Sequence, residues 1–364
     1  MPQCADRLFS PLIGADGDPV RNLDLSAQRK EFFFVLPQPL RRCVVSLLDN
    51  PQKDEPLLWT LLNCALLVPP AACALLLYAP SSHFAGAVYF ASVYGLFLQR
   101  FALALHYSQH RRVFAGAWNV LPVLLCPFFG LPLGVYRLHH CAMHHTESNG
   151  WGGDISSTER YQRDRPLHCA QYICRFLLFT ALELPLYALR TGRYAQAVAV
   201  VAGMVAHVTT ASVVATRAGA PCAVWVFAVP FVVTQCALAF GNWSQHVFIN
   251  PDLCRDAYGM AYTCINHDDN ARTFNDGYHA THHAHSRLHW SEMPAYFMAN
   301  AHVSAEKDAL VFQRCHFFDV GAAVLTGRLG WLADRHVRLP GQAVRTKHEL
   351  VAELRRRLQP IVVH

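Results

Sequence analysis

The sequence contains little charge. Asp, Glu, Lys and Arg make up 15% of the 364 residues and hydrophobic residues 53%, whereas soluble domains carry about 25% charged residues. The apolar residues stand in runs of about 20 or more, the length that a helix needs to cross a bilayer core of about 30 Å. This composition excludes an ordinary soluble protein and predicts an integral membrane protein.

Several other signals are missing. The 13 cysteines include no CxxC pair, so we expect free thiols rather than a disulfide framework. The N-terminal residues lack a basic stretch followed by an apolar one, so the first spanning helix is expected to act as the insertion signal. The chain has no internal repeat, and its net charge of +6 is distributed as membrane topology requires rather than as a nucleic-acid surface.

The apolar segments predict four transmembrane helices, at 57–79, 84–105, 194–216 and 221–240. Two further apolar segments, 113–138 and 171–189, are predicted to stay on one side, because otherwise histidine groups would face opposite sides of the membrane. The links at 80–83 and 217–220 then hold one of the 31 Lys and Arg residues, Arg217. By the positive-inside rule, the histidine-bearing face and both termini are expected in the cytosol.

Histidine is abundant, with 21 residues, and most of those between His106 and His289 stand in short groups at the ends of apolar segments. Residues spaced i, i+3 and i+4 share one face of a helix, so a helix end can present two ligands to one site. The candidate ligands are His106, His110, His140, His144, His145, Asn242, His246, His279, His282 and His283.

Within the second group, His140 is preferred to His139. His140 and His144 are four residues apart and would share a helix face, whereas His139 and His144 are five apart. His139, His285 and His289 flank the candidate ligands and are weaker candidates.

Nine histidines exceed the ligands of one metal and suit two adjacent ions with about four or five ligands each. The lack of clustered thiolates argues against a structural zinc or an iron–sulfur cluster, and a catalytic zinc takes only about three protein ligands. Two histidine-held irons at the end of an apolar bundle indicate oxygen activation directed at a hydrocarbon. The predicted fold is therefore all-α, a four-helix transmembrane bundle with a cytosolic helical cap that carries the two-metal site.

Charged residues near these groups have two predicted roles. A metal-bound imidazole usually donates its other N–H to an acceptor, for which the acidic candidates are Glu147, Asp154, Asp268 and Asp276. A phosphate-bearing headgroup, such as coenzyme A or a phospholipid, needs basic residues. The candidates are Arg111, Arg112, Arg160, Arg163 and Arg165, although positive-inside bias explains them equally well.

The pattern resembles the membrane fatty acid desaturase family over roughly residues 84–300. The family's boxes HxxxH, HxxxHH and HxxHH look like those that begin at His106, His140 and His279, and the NxxxH element of stearoyl-CoA desaturases is similar to the one that begins at Asn242. The resemblance implies a non-haem di-iron centre that uses O₂ and two electrons to introduce a double bond into an acyl chain, carried by coenzyme A or a lipid.

The resemblance also implies partners. The chain has no HPGG haem-binding motif, so the electrons are expected from a separate donor, either cytochrome b5 with its reductase or ferredoxin. We expect an endoplasmic reticulum membrane protein with a cytosolic N-terminal segment at 1–56, a desaturase-like membrane domain at 57–300 and a cytosolic C-terminal tail at 301–364.

Two other functions remain open. Related histidine-box enzymes hydroxylate alkanes, sterols or carotenoids on the same kind of scaffold, and the spacing does not separate hydroxylation from desaturation. A metal transporter should show ionisable residues at mid-membrane and often an internal repeat. The candidate ligands here stand at helix ends instead, which disfavours transport.

Overall fold

The computed structural model describes residues 11–25 and 33–361, and most of them are helical. The α-helices are α1 (Gln38–Val45), α2 (Pro51–Tyr78), α3 (His83–His110), α4 (Leu121–Leu124), α5 (His145–Glu147), α6 (Pro166–Arg190), α7 (Tyr194–Arg217), α8 (Ala220–Ala223), α9 (Val229–Gln245), α10 (Ala257–Met260), α11 (Asp268–Arg272), α12 (His279–Ala284), α13 (Met293–Ala299), α14 (Ala301–Glu306), α15 (Phe317–Leu325), α16 (Leu329–Ala333) and α17 (Lys347–Arg357).

Short elements of other kinds complete the fold. Two stretches form π-helices, Arg137–His144 and Val224–Ala228. The 3₁₀-helices are Leu23–Leu25, Gly116–Val120, Cys126–Phe129, Pro251–Leu253 and Trp290–Glu292. The strands are β1 (Leu12–Ile13), β2 (Pro19–Val20), β3 (Thr263–Ile265) and β4 (Val311–Gln313). β1 and β2 pair antiparallel and β3 and β4 pair parallel, so the fold is mainly helical but not purely α.

Five helices in the described part of the chain are long and apolar enough to cross a membrane. They are Pro51–Tyr78, His83–His110, Pro166–Arg190, Tyr194–Arg217 and Ala220–Gln245. Four of them cover the predicted spans. The fifth covers 171–189, so length and composition do not confirm the count of four. The segment 113–138 forms only short helices, as expected of an element that does not span.

The chain divides into two compact units. Unit 1 comprises Met1–Gln28, His144–Arg175 and Ala239–His364, and unit 2 comprises Arg29–Met143 and Phe176–Leu238. Unit 2 thus contains α2, α3 and α7, and unit 1 contains most of the polar C-terminal half of the chain.

In unit 2, the segment that precedes the second histidine group packs closely on two long helices. A Cβ on Gly130 would lie 2.2 Å from the carbonyl carbon of Pro230, and one on Gly203 would lie 2.1 Å from the carbonyl oxygen of Leu133. Gly130 also has a φ of 68°, which favours glycine. These contacts fix the chain just before the π-helix Arg137–His144.

In unit 1, the buried side chain of Arg163 joins three stretches of chain. Its guanidinium donates hydrogen bonds to backbone carbonyls. These bonds allow the charge to be buried, since a buried charge is tolerated only when it is well hydrogen-bonded. The accepting carbonyls belong to Thr158, Glu159, Tyr161, Val247, Arg357 and Gln359. Burial lowers the pKa of Arg163 to about 9. The loop after the second histidine group is thereby fixed to the chain that follows His246.

The headgroup hypothesis is wrong for Arg163, because this guanidinium is buried and bound to backbone. Two other candidates form ion pairs, Arg111 with Asp54 and Arg112 with Asp49. The guanidinium of Arg160 lies 4.0 Å above the ring of Trp151, whereas Arg165 is exposed.

Candidate metal centre

The first histidine cluster lies in unit 2 and contains His106, His110 and His140. Its ring centroids are 5.0 Å apart for His106–His110, 4.4 Å for His106–His140 and 4.9 Å for His110–His140. The candidate ligand nitrogens lie within 4.8 Å of one another. His106 and His110 occupy the last turns of α3, where their spacing of four puts both rings on one face. The ring of Tyr136 stacks on His140 at 5.3 Å.

The second histidine group differs from its expected α-helical form. Arg137–His144 is a π-helix, whose i→i+5 hydrogen bonds change which residues share a face. His140 therefore joins the cluster of unit 2, whereas His144 belongs to a cluster in unit 1. The shared α-helical face that their spacing of four predicts is not the form that this segment takes. His139 instead packs its ring edge-on against Phe176 at 5.2 Å.

The second cluster lies in unit 1 and is built around two buried rings, His144 and His246, and the half-buried ring of His283. The ring centroids of His144, His246 and His283 are 4.9–5.0 Å apart, and their candidate ligand nitrogens lie within 4.8 Å of one another. His279 Nε2 lies 3.2 Å from His246 Nε2 and 3.1 Å from His283 Nε2. The cluster thus combines three segments: His144 ends the π-helix, His246 follows α9, and His279 and His283 belong to α12.

Two further histidines extend this cluster. His282 Nε2 lies 3.1 Å from His145 Nε2, and the ring of His145 stacks on His283 with centroids 4.4 Å apart. The flanking residues bond elsewhere: His285 contacts the hydroxyl of Tyr296 and His289 that of Ser291.

The chain before α12 is shaped to place its histidines. Phe274 and Asn275 both have left-handed backbone, with φ of 55° and 57°, a conformation that is costly for a bulky residue such as Phe. A Cβ on Gly277 would lie 2.4 Å from the carbonyl oxygen of Cys264, so only glycine fits there. Gly277 also accepts a hydrogen bond from the Cys264 N–H. β3 thereby fixes where α12 begins.

Hydrogen bonds orient two rings of the unit 1 cluster. His144 Nδ1 lies 2.7 Å from Asp154 Oδ2, and His246 Nδ1 lies 3.0 Å from the carbonyl oxygen of Met260. Because a carbonyl only accepts, His246 Nδ1 carries the proton and its Nε2 lone pair is left for a ligand role. Such a partner on the other ring nitrogen is typical of metal-binding histidines.

The predicted acidic partners differ in where they lie. Asp154 is buried beside His144 and also accepts the backbone N–H and the hydroxyl of Ser156. Asp268 is exposed at the start of α11. Asp276 accepts a hydrogen bond from Gln245, and burial raises the pKa of its carboxyl to about 7. The structure places Asp154 alone of these three against a cluster histidine within the described contacts.

Asn242 braces the segment that carries Asp154. Its side-chain amide donates to the carbonyl of Ser156 at 2.9 Å and to the hydroxyl of Tyr172 at 2.8 Å. Tyr172, which the sequence did not indicate, donates to the same carbonyl. The amide nitrogen of Asn242 is therefore bound to protein, and its carboxamide oxygen is the atom that a ligand role would use.

The donor set of unit 1 fits a transition metal. Burial, followed by the neighbouring histidines, lowers the pKa of His246 to about 3 and that of His283 well below its usual value. Both rings are therefore neutral, which is the form that binds metals. Two nitrogens 3.1–3.2 Å apart also match two ligands on one ion, given metal–nitrogen bonds of about 2.0–2.1 Å.

These features define a class: a helical chain with membrane-type helices and two clusters of histidine suited to transition metals. The sequence model of the family described as "Fatty acid desaturase" matches residues 80–314, more than half of the chain. The protein belongs to this family, as its histidine boxes predict. A search of curated proteins finds no match to the chain. Membership implies an oxidoreductase that acts on fatty acids in a membrane.

Proposed function

We propose that the protein introduces a double bond into a fatty acyl chain, carried by coenzyme A or a lipid, in an O₂-dependent reaction at two non-haem irons. The observation that carries the proposal is the gathering of nine box histidines into two clusters in a chain of the desaturase family. When bound, the irons supply the redox chemistry that activates dioxygen.

Each cluster would hold one iron. His106, His110 and His140 serve the first ion. The second ion is served by His144, His145, His246, His279 and His283, with Asn242 reaching it through its oxygen or a water. His282 is a further ligand of the two-metal centre. Asp154 and the carbonyl of Met260 keep two rings in the orientation and tautomer that a metal needs.

We infer that four helices cross the membrane and that α6 does not. Arg175, within α6, donates to the carbonyl of Ile155 at 2.7 Å in the polar loop of unit 1. That polar anchor, together with Glu183 and Pro185 in the same helix, disfavours a transmembrane position. The domains then run 1–56, 57–300 and 301–364, with the metal face and both termini in the cytosol at the endoplasmic reticulum.

Removal of two hydrogens from the acyl chain and reduction of O₂ to two waters consume two electrons and two protons from outside. The external donor is cytochrome b5 with its reductase, or ferredoxin. Expression in yeast with such a donor, followed by mass spectrometry of total lipids, tests the proposal. We expect new unsaturated acyl chains that disappear in the His282→Ala variant.

The same experiment separates the alternatives. Hydroxylated chains without a new double bond would show a monooxygenase of lipid or hydrocarbon chains instead. Unchanged lipids, together with metal uptake that His282→Ala alters, would show a metal transporter.

A further inference from the structure

Unit 2 contains a cavity of about 120 Å³ among α6, α7, α9 and the chain at 132–135. Its surface is almost entirely apolar. Ala181 of α6 and Val208 of α7 line it and are exposed. α7 is proposed to cross the membrane, and α6, which is proposed not to cross it, is also apolar enough to contact lipid. The cavity therefore opens toward the hydrocarbon region that surrounds unit 2.

Two residues of the cavity lining are neighbours in sequence of residues that contact His139 and His140. Val135 is buried and lines the cavity, and the next residue, Tyr136, stacks on the ring of His140 at 5.3 Å. On the other side, Leu177 lines the cavity directly after Phe176, against which His139 packs. Within unit 2, two lining residues are thus next in sequence to residues that contact the second histidine group, one of them at His140 itself.

The size and chemistry of the cavity restrict its occupant. An apolar cavity of about 150 Å³ stays dry and binds one benzene or xenon, so this one holds a single small apolar molecule but not an acyl chain. A water molecule needs about two to four hydrogen-bond partners. Three polar side chains, Thr180, His207 and Gln235, line the cavity but contribute little of its surface. The Thr180 hydroxyl already donates to the carbonyl of Phe176.

We propose that this cavity is a dioxygen site, through which O₂ dissolved in the bilayer reaches the cluster that contains His140. Dioxygen is small and apolar, and apolar solutes leave water for hydrocarbon, so the membrane is its richer source. The inference rests on the proposed O₂-dependent function, but it assigns a site that the reaction itself does not require.

Xenon binding tests whether the cavity holds a small apolar molecule, and this test does not require enzyme activity. The full-length protein in lipid nanodiscs is placed under xenon pressure, and bound xenon is located by cryo-electron microscopy. We expect xenon between Ala181 and Val208 in the unmodified protein and none in Ala181→Phe, whose ring fills the space. Ala206→Phe, the same substitution at an exposed position of α7, should keep xenon. Val208→Phe is a second filling variant should Ala181→Phe fail to fold.

Kinetics then tests the role of the site. The filling variants should raise the KM for dioxygen several-fold, while the KM for the acyl substrate and the iron content stay unchanged. Three results would overturn the inference. The first is that the unmodified protein binds no xenon, and the second is that its cavity holds ordered water or a lipid tail instead. The third is an unchanged KM for dioxygen in a variant that binds no xenon. An unmodified protein that binds xenon but makes no double bonds would refute the proposed function rather than the presence of a gas-binding cavity.

Discussion

The two histidine clusters are built in different ways. In unit 2, His106 and His110 are fixed by the regular geometry of α3, a helix of 28 residues. In unit 1, the histidines come from the end of a π-helix, from the chain after α9 and from α12, which has six residues. Short elements cannot hold a ring in place alone. The unit 1 cluster therefore depends on Asp154, the Met260 carbonyl and Gly277, and changes outside the ligands should damage it more.

The largest effect is expected from the ligands themselves. His246→Ala should abolish desaturation and lose the iron of unit 1, because it removes a buried ring that contacts His144, His279 and His283. Iron content and product formation measure both. His302→Ala, at an exposed histidine, should change neither. Retention of both irons in His246→Ala would contradict the assignment.

The second largest effect is expected from Arg163→Met, which should lower the stability of unit 1. It removes the donors of several buried carbonyls, and each buried group left unsatisfied costs about 1–3 kcal/mol. Hydrogen exchange should show unit 1 opening while α3 of unit 2 stays protected. The exposed Arg112→Met is the control. Equal loss of protection in both units would show that unit 1 does not depend on this side chain in particular.

Asp154→Asn should weaken the cluster without destroying the fold. Loss of a partner behind a metal-bound histidine typically costs about 10–100-fold in metal affinity or activity, and Asp154 is the carboxylate beside His144. Titration with iron measures the affinity. Asp268→Asn serves as the control, since Asp268 is exposed. If both variants bind iron alike, the orienting role of Asp154 is refuted.

The smallest effect is a pH dependence in unit 1. Burial, followed by nearby charges, lowers the pKa of His336 to about 4, so the unfolded chain binds a proton at higher pH than the folded one. The stability that this neutral imidazole contributes is fully present above about pH 6.5 and is lost as the pH falls toward 4. The loss amounts to about 2 kcal/mol at pH 5. His336→Gln should flatten the acid loss of unit 1 stability, measured by hydrogen exchange. An unchanged pH profile in His336→Gln would contradict this role of His336.

Features set by local spacing could be predicted from the sequence. The helices that carry His106 and His279 are where their spacing indicates, and Asp154 was among the expected partners. The family match over residues 80–314 confirms what the boxes indicate together.

Features set by tertiary contacts could not be predicted. The π-helix separates His140 from His144, although their spacing of four is typical of one α-helical face. The Met260 carbonyl behind His246 is backbone, which any residue supplies. Arg163 looked like a surface charge because nothing in its neighbourhood in sequence reveals the carbonyls that bury it.

The iron content of each cluster tests the central claim most directly. Iron per chain is measured in the purified, active protein and in the His106→Ala and His246→Ala variants. We predict two irons in the unmodified chain, loss of the unit 2 iron in the first variant and of the unit 1 iron in the second, each with loss of double-bond formation. Full activity with one iron per chain, or with neither cluster occupied, would contradict the account.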